Sequence, residues 1–179
     1  MAGGSLTGAH QMSENQKAVI LVGHGGLPKD CPREIIQQFK QLGRERKTSG
    51  KPATAQERDL ENRIREWPRT PENDPYKAGM EQLAERLEPL LDGAPLVLAY
   101  NEFCAPTVED AVADLATRGV TRITVVPTML TPGGSHSEIE IPEILDDLRI
   151  RHPALEIRYA WPTDLDLLAG MLADHLKKF

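Results

Sequence analysis

A chain of 179 residues with 40% hydrophobic content is long enough to bury one sizeable core, and its length favours one domain over two. Its 21 Lys and Arg against 27 Asp and Glu give a net charge of −6, which lacks the basic footprint of a nucleic-acid binder and points to small-molecule partners. Cys31 and Cys104 form neither a C-x-x-C pair nor a disulfide framework, and no apolar run approaches the roughly 18 residues that cross a bilayer, so a reduced, cytoplasmic protein without membrane partners is expected.

Residues 1–16 are polar and rich in Gly and Ser, and are expected to be a disordered tail ahead of one domain over 17–179. The run Lys17-Ala-Val-Ile-Leu-Val-Gly23 is continuously apolar and β-branched, then breaks at His24-Gly-Gly-Leu-Pro28, as a buried strand entering a glycine-rich loop would. Pro32 marks the start of a helix with Ile35, Ile36, Phe39 and Leu42 on one stripe. Thr54 and Glu57 have capping-box spacing ahead of Leu60, Ile64 and Trp67. A third helix carries Met80, Leu83, Leu87 and Leu90. Strands are expected at 95–100, 122–127 and, alternating like an edge strand, 155–160. A fourth helix with Val112, Leu115 and Ala116 stops at Gly119, a fifth begins near Pro142, and a sixth after Thr163 carries Leu165, Leu168, Leu172 and Leu176.

Strands alternating with helices imply βαβ crossovers, so the expected fold is α/β: a three-layer αβα domain around a four-stranded, mainly parallel sheet. The first crossover is too long, and residues 27–76 are expected to be a helical insertion beside the cleft. Residues 28–75 hold 11 Lys and Arg against 9 Asp and Glu, leaving 10 against 18 elsewhere. On these counts alone the positive excess is an ordinary solvated helical face; its functional alternative is a surface facing an anionic ligand.

Open α/β sheets bind ligands beyond the carboxyl ends of their strands. His24, Glu102 and His136 stand at three such ends. Each alone has an ordinary explanation: a lone histidine there is more often a hydrogen-bonded loop residue than a ligand, and Glu102 suits the positive end of the next helix. Together they are three groups able to bind a divalent metal or move a proton, among glycines (Gly25, Gly133 and Gly134) that let a flat ligand approach the backbone. Competing motifs fail. Gly23-His-Gly-Gly-Leu-Pro28 lacks the third glycine of a dinucleotide fingerprint, so no nucleotide cofactor is expected, and P-loop, G-x-S-x-G and H-E-x-x-H patterns are missing. His10, His152 and His175 are read as surface residues.

These residues, in this order, resemble the class II tetrapyrrole chelatases, specifically the short sirohydrochlorin cobaltochelatase and ferrochelatase group. The resemblance covers about residues 17–26 and 94–162. It rests on Gly23-His-Gly25, the Glu-Phe-x-x-Pro of Glu102 to Pro106, the strand ending Val125-Val-Pro127, and Gly-Gly-x-His-x-x-x-[DE]-Ile-Pro from Gly133 to Pro142, the most specific of the four. Gly26 and Leu27 depart from the small hydroxyl and basic residues usual after the first His-Gly, and Glu140 stands where Asp is commoner. Asp74-Pro75-Tyr76 is faintly similar to the protoporphyrin ferrochelatases, which share the fold.

The resemblance implies insertion of cobalt(II), iron(II) or nickel(II), a divalent metal that is substrate and not resident cofactor, into a tetrapyrrole such as sirohydrochlorin, in cobalamin or siroheme biosynthesis. His24 and His136 then hold the metal. Glu102 accepts a pyrrole proton or holds a histidine in its metal-binding tautomer, and Glu138 and Glu140 are read as structural. Short members resemble one half of a two-lobed chelatase, so a homodimer is expected. The alternatives are a non-catalytic metal- or tetrapyrrole-binding protein that kept the cleft, and an unrelated hydrolase-like enzyme with zinc at the two histidines.

Overall fold

The computed structural model describes residues 16–179. The expected tail and His10 lie outside the described residues, apart from Gln16, whose carbonyl accepts the amide of Thr121. Four strands, β1 (Lys17–Gly23), β2 (Leu96–Tyr100), β3 (Arg122–Pro127) and β4 (Glu156–Tyr159), form one parallel sheet in the order β2-β1-β3-β4. Parallel pairing needs crossovers, supplied by α1 (Arg33–Ser49), α2 (Ala55–Arg65), α3 (Pro75–Leu87), α4 (Val108–Thr117) and α5 (Ile141–Arg151), while α6 (Leu165–Leu176) follows the last strand. The α/β class and the parallel sheet are as the sequence predicts.

Burial explains the continuous apolar runs. β1 is a central strand whose Ala18, Ile20 and Val22 face one core with Val112 and Leu115 of α4 and Leu145 and Leu148 of α5, while Leu21 faces a second with Met80 of α3 and Tyr100. Both faces being covered, period-2 alternation vanishes from β1, and each buried aliphatic side chain contributes about 1.5–3 kcal/mol of transfer free energy. A third cluster joins Ile35 of α1 to Leu60 and Ile64 of α2, with Phe39 and Phe103 packed against it. Thr107 caps α4 in a reciprocal box with Asp110.

Several helix expectations need correction. Thr54 does cap α2 by accepting the Glu57 amide, but the Glu57 carboxylate turns away and takes the Arg46 guanidinium instead, so the box is half made. Leu83 is exposed, because α3 lies against the edge strand β2 and only its Met80 and Leu87 side meets the core, and Leu90 falls beyond the helix in an exposed 3₁₀ turn over Glu88–Leu90. The fifth helix does begin beside Pro142, at Ile141, but a wide π turn over His136–Glu140 precedes it, closed by Ile141 N donating to His136 O. Pro142 has no N–H for an α-helical bond, and the wider turn precedes it. The apolar stripe of α6 joins none of the core clusters among the described residues: Leu168 is half-buried, and Leu165, Leu172 and Leu176 are exposed together with Leu167 and Met171.

Candidate metal site

The β1–β2 ladder continues past the strands. The amide of Asn101 donates to Gly23 O (2.9 Å) and that of Glu102 to His24 O (2.8 Å), which sets His24 beside Glu102. Their side chains meet at 3.8 Å, His24 Nε2 to Glu102 Oε2. The backbones pass so closely at Gly25 that a Cβ there would lie 1.8 Å from the Glu102 carbonyl oxygen, and Gly25 has φ +92°. Only glycine fits. Gly25 is thus required first by the chain's own backbone, whereas Gly133 and Gly134 border open space on an exposed turn.

His136 arrives from the third strand end. Thr128 N donates to Val22 O as β3 leaves the sheet, and the π turn is then anchored by buried Ser137, whose hydroxyl donates to Met129 O (3.0 Å) and whose carbonyl accepts Tyr159 Oη (2.9 Å). The imidazoles of His24 and His136 stand edge to face with centroids 4.8 Å apart. One ligand atom each from His24, Glu102 and His136 lies within 4.8 Å of the others. Two imidazoles and a carboxylate are a donor set for a first-row divalent ion. The side chains are 40% (His24), 35% (Glu102) and 24% (His136) exposed, so the set opens to solvent on one side. A cavity of about 890 Å³ lies at the opposite end of the sheet, among Lys17, Pro95 and Arg118, and takes no part in this site.

The sequence reading missed what surrounds these donors. Glu140, read as structural, reaches His136 Nδ1 at 2.8 Å, and Asn101 Nδ2 lies 2.9 Å from that nitrogen and 3.0 Å from Glu140 Oε2. Burial pushes the Glu140 carboxyl up, but hydrogen bonds from His136, Asn101 and Ser135 outweigh it and hold the group below the usual carboxylate range. Glu138 only closes its own loop, accepting the Gly133 amide at 2.8 Å. The signal for Asn101 was its place directly after β2, next to Glu102.

Arg69 had no local signal. Its Nε donates to Trp67 O, one terminal nitrogen to Gly26 O (2.7 Å) and Asp74 Oδ2 (2.6 Å), and the other to Ile64 O (2.9 Å) and Phe103 O. All five donors are used, and the loop carrying His24 is tied to the loop carrying Glu102. The backbone amide of His24 donates to Tyr76 Oη at 2.8 Å. Within the basic segment, Arg58 donates to Ala53 O and Arg65 pairs with Glu61, as on an ordinary helical face.

A three-layer α/β domain with two histidines and a glutamate at the carboxyl edge of its sheet is the arrangement expected of a metal-handling chelatase-type protein. The CbiX family profile matches residues 71–177, more than half of the chain, and the chain belongs to that family. It is 38% identical over 66 residues to a sirohydrochlorin cobaltochelatase of Methanopyrus kandleri, covering 37% of this chain and 46% of that one. With a sirohydrochlorin ferrochelatase of Priestia megaterium it shares 30% identity over 93 residues, 50% of this chain and 35% of the other. The aligned part thus spans less than half the length of these relatives. A CbiX protein structure from Marinobacter aquaeolei VT8 superposes over 90% of this chain and 96% of its own with a TM-score of 0.51 at 18% identity, which shows the shared fold. Among the described residues, no helix is long and apolar enough to cross a membrane.

Proposed function

We propose that the protein inserts a divalent metal ion, cobalt(II) or iron(II), into sirohydrochlorin or a close relative of it, in cobalamin or siroheme biosynthesis within the cytoplasm, using no nucleotide cofactor. The observation that carries this reading is the convergence of His24, Glu102 and His136 from three strand ends on one small volume. Residues 17–179 form the chelatase domain and 27–76 its helical insertion.

Insertion requires the metal to lose water and two pyrrole N–H protons to leave. Neutral imidazoles displace water yet release the ion, which suits His24 and His136 to hand it on. His24 Nδ1 lies 2.8 Å from Gly25 O, so that nitrogen carries the proton and Nε2 is bare, on the side of Glu102. Glu102 therefore acts beside the coordinating nitrogen, as proton acceptor or third ligand, and the backbone sets the His24 tautomer. Glu102→Gln is expected to slow insertion about 10²-fold with tetrapyrrole affinity within a factor of about three, because a carboxylate that takes protons acts in the transition state. Stopped-flow insertion rates set against fluorescence titration check this, and an unchanged rate excludes Glu102 from proton transfer.

Tetrapyrrole carboxylates call for guanidinium or ammonium groups at the rim, which the basic insertion would supply. The deciding experiment adds cobalt(II) or iron(II) to protein mixed with sirohydrochlorin or with protoporphyrin and follows the visible spectrum. Catalytic conversion of sirohydrochlorin supports the proposal. Stoichiometric binding without metallated product leaves a carrier instead.

The one-sided site and the bare apolar stripe of α6 support pairing as a homodimer, which encloses the plate between two copies. Light scattering after gel filtration is expected to give twice the chain mass, and Leu167→Glu with Leu172→Glu to give monomers. A fully active monomer rules the pairing out.

A further inference from the structure

We propose that Glu140, braced by Asn101, is a positioning residue that keeps the single proton of neutral His136 on Nδ1 and so leaves Nε2 as its bare nitrogen. The functional meaning of this clamp rests on the reading of His136 as a metal ligand.

A neutral imidazole has one N–H and one lone pair, and only the nitrogen with the lone pair takes a metal. His24 has its tautomer set by the carbonyl of Gly25, its own neighbour in the chain. The Nδ1 of His136 meets side chains instead: Glu140 Oε2 at 2.8 Å and Asn101 Nδ2 at 2.9 Å. These neighbours make opposite demands. A carboxylate only accepts, so it requires a proton on Nδ1; an amide nitrogen only donates, so it requires none.

Charge decides between them. A hydrogen bond to an ionised oxygen is about twice as strong as a neutral one, and a bare Nδ1 would set its lone pair against a carboxylate oxygen at 2.8 Å. The amide of Asn101 has a better acceptor in the same oxygen, 3.0 Å away. Its Nδ2–Nδ1 approach is then a packing contact, and its role is to aim Glu140. Two further observations agree. Asn101 Oδ1 is buried without a hydrogen-bond partner, and turning the amide over to relieve it would place two oxygens 3.0 Å apart at Glu140. The other Glu140 oxygen accepts Ser135 Oγ at 3.2 Å, so the carboxylate is held at both oxygens. The π turn supplies the spacing, since His136 opens it and Glu140 ends it.

The test needs no tetrapyrrole. In metal-free protein labelled with [15N]histidine, long-range proton–nitrogen correlation spectra at about pH 8, where imidazole is neutral, report the tautomer directly. Wild type is expected to show His136 as Nδ1–H. Glu140→Ala is expected to shift it to Nε2–H and to weaken cobalt(II) binding, read from the visible absorption of the bound ion, about 10–100-fold. Glu140→Gln is the rescue variant, because its carbonyl oxygen accepts the same proton without the charge, and it is expected to keep Nδ1–H. Asn101→Leu is expected to keep it too. An Nε2–H tautomer in wild type, an unshifted one in Glu140→Ala, or a shift caused by Asn101→Leu alone overturns the proposal. Should Glu140→Ala fail to fold, the wild-type and Asn101→Leu spectra still decide it. If the tautomers behave as stated but wild type takes up no cobalt(II), the clamp stands and the metal-ligand reading of His136 falls.

Discussion

Alanine in place of either His24 or His136 is expected to slow metal insertion into sirohydrochlorin by about 10²–10⁴-fold, the range seen when a positioned proton-transfer or metal-holding group is lost. On the proposed reading the two imidazoles serve one ion, so the double variant is expected to be little worse than either single one. Both side chains are partly open to solvent and neither belongs to a core cluster, so unfolding free energy should change by less than about 1 kcal/mol. Insertion rates, cobalt(II) titration and urea unfolding on the same samples make the check. Activity that survives in both single variants removes the histidines from the reaction.

Arg69→Met is expected to cost about 3–5 kcal/mol of stability, the usual penalty for stripping one partner from a buried ion pair. The side chains of Arg69 and Asp74 are 7% and 2% exposed, and methionine would leave Asp74 charged and alone while unbinding the carbonyls of Gly26, Ile64, Trp67 and Phe103. Asp74 keeps only its second task, accepting the Lys77 amide at the start of α3. Urea unfolding measures the loss, and cobalt(II) affinity should fall with it because Gly26 lies two residues after His24 and Phe103 directly follows Glu102. A loss below about 1 kcal/mol would mean that water replaces the guanidinium, and the tie between the two loops would be dispensable.

The sheet was legible because its central strand is buried on both faces and β2 and β3 are at least half-covered along their length. The runs ending at Gly23, Tyr100 and Pro127 contain almost nothing but apolar residues, and their observed carboxyl ends fall where the sequence reading placed them. Parallel order then brings the residues after those ends together, which is why His24, Glu102 and His136 were found without coordinates. Helix faces were harder. An apolar stripe shows that a helix has a face to bury but not whether a partner lies within the same chain, and most of α6 and Leu83 of α3 have none among the described residues. The supporting groups were hardest of all. Asn101 meets the Glu140 carboxylate across 39 residues of chain and Arg69 meets the Phe103 carbonyl across 34, and polar contacts at such separations leave no periodicity to read.

Tyr76 carries a lesson for anyone who would trim this protein. Residues 27–76 look removable, a decoration on an otherwise small scaffold, yet the phenol at the far end of that stretch receives the His24 amide, and Arg69 within it grips the neighbouring turn. Excising the stretch would free the very backbone that aims the first imidazole. A shortened variant would need a substitute acceptor for the His24 amide before its histidine could be expected to point the right way.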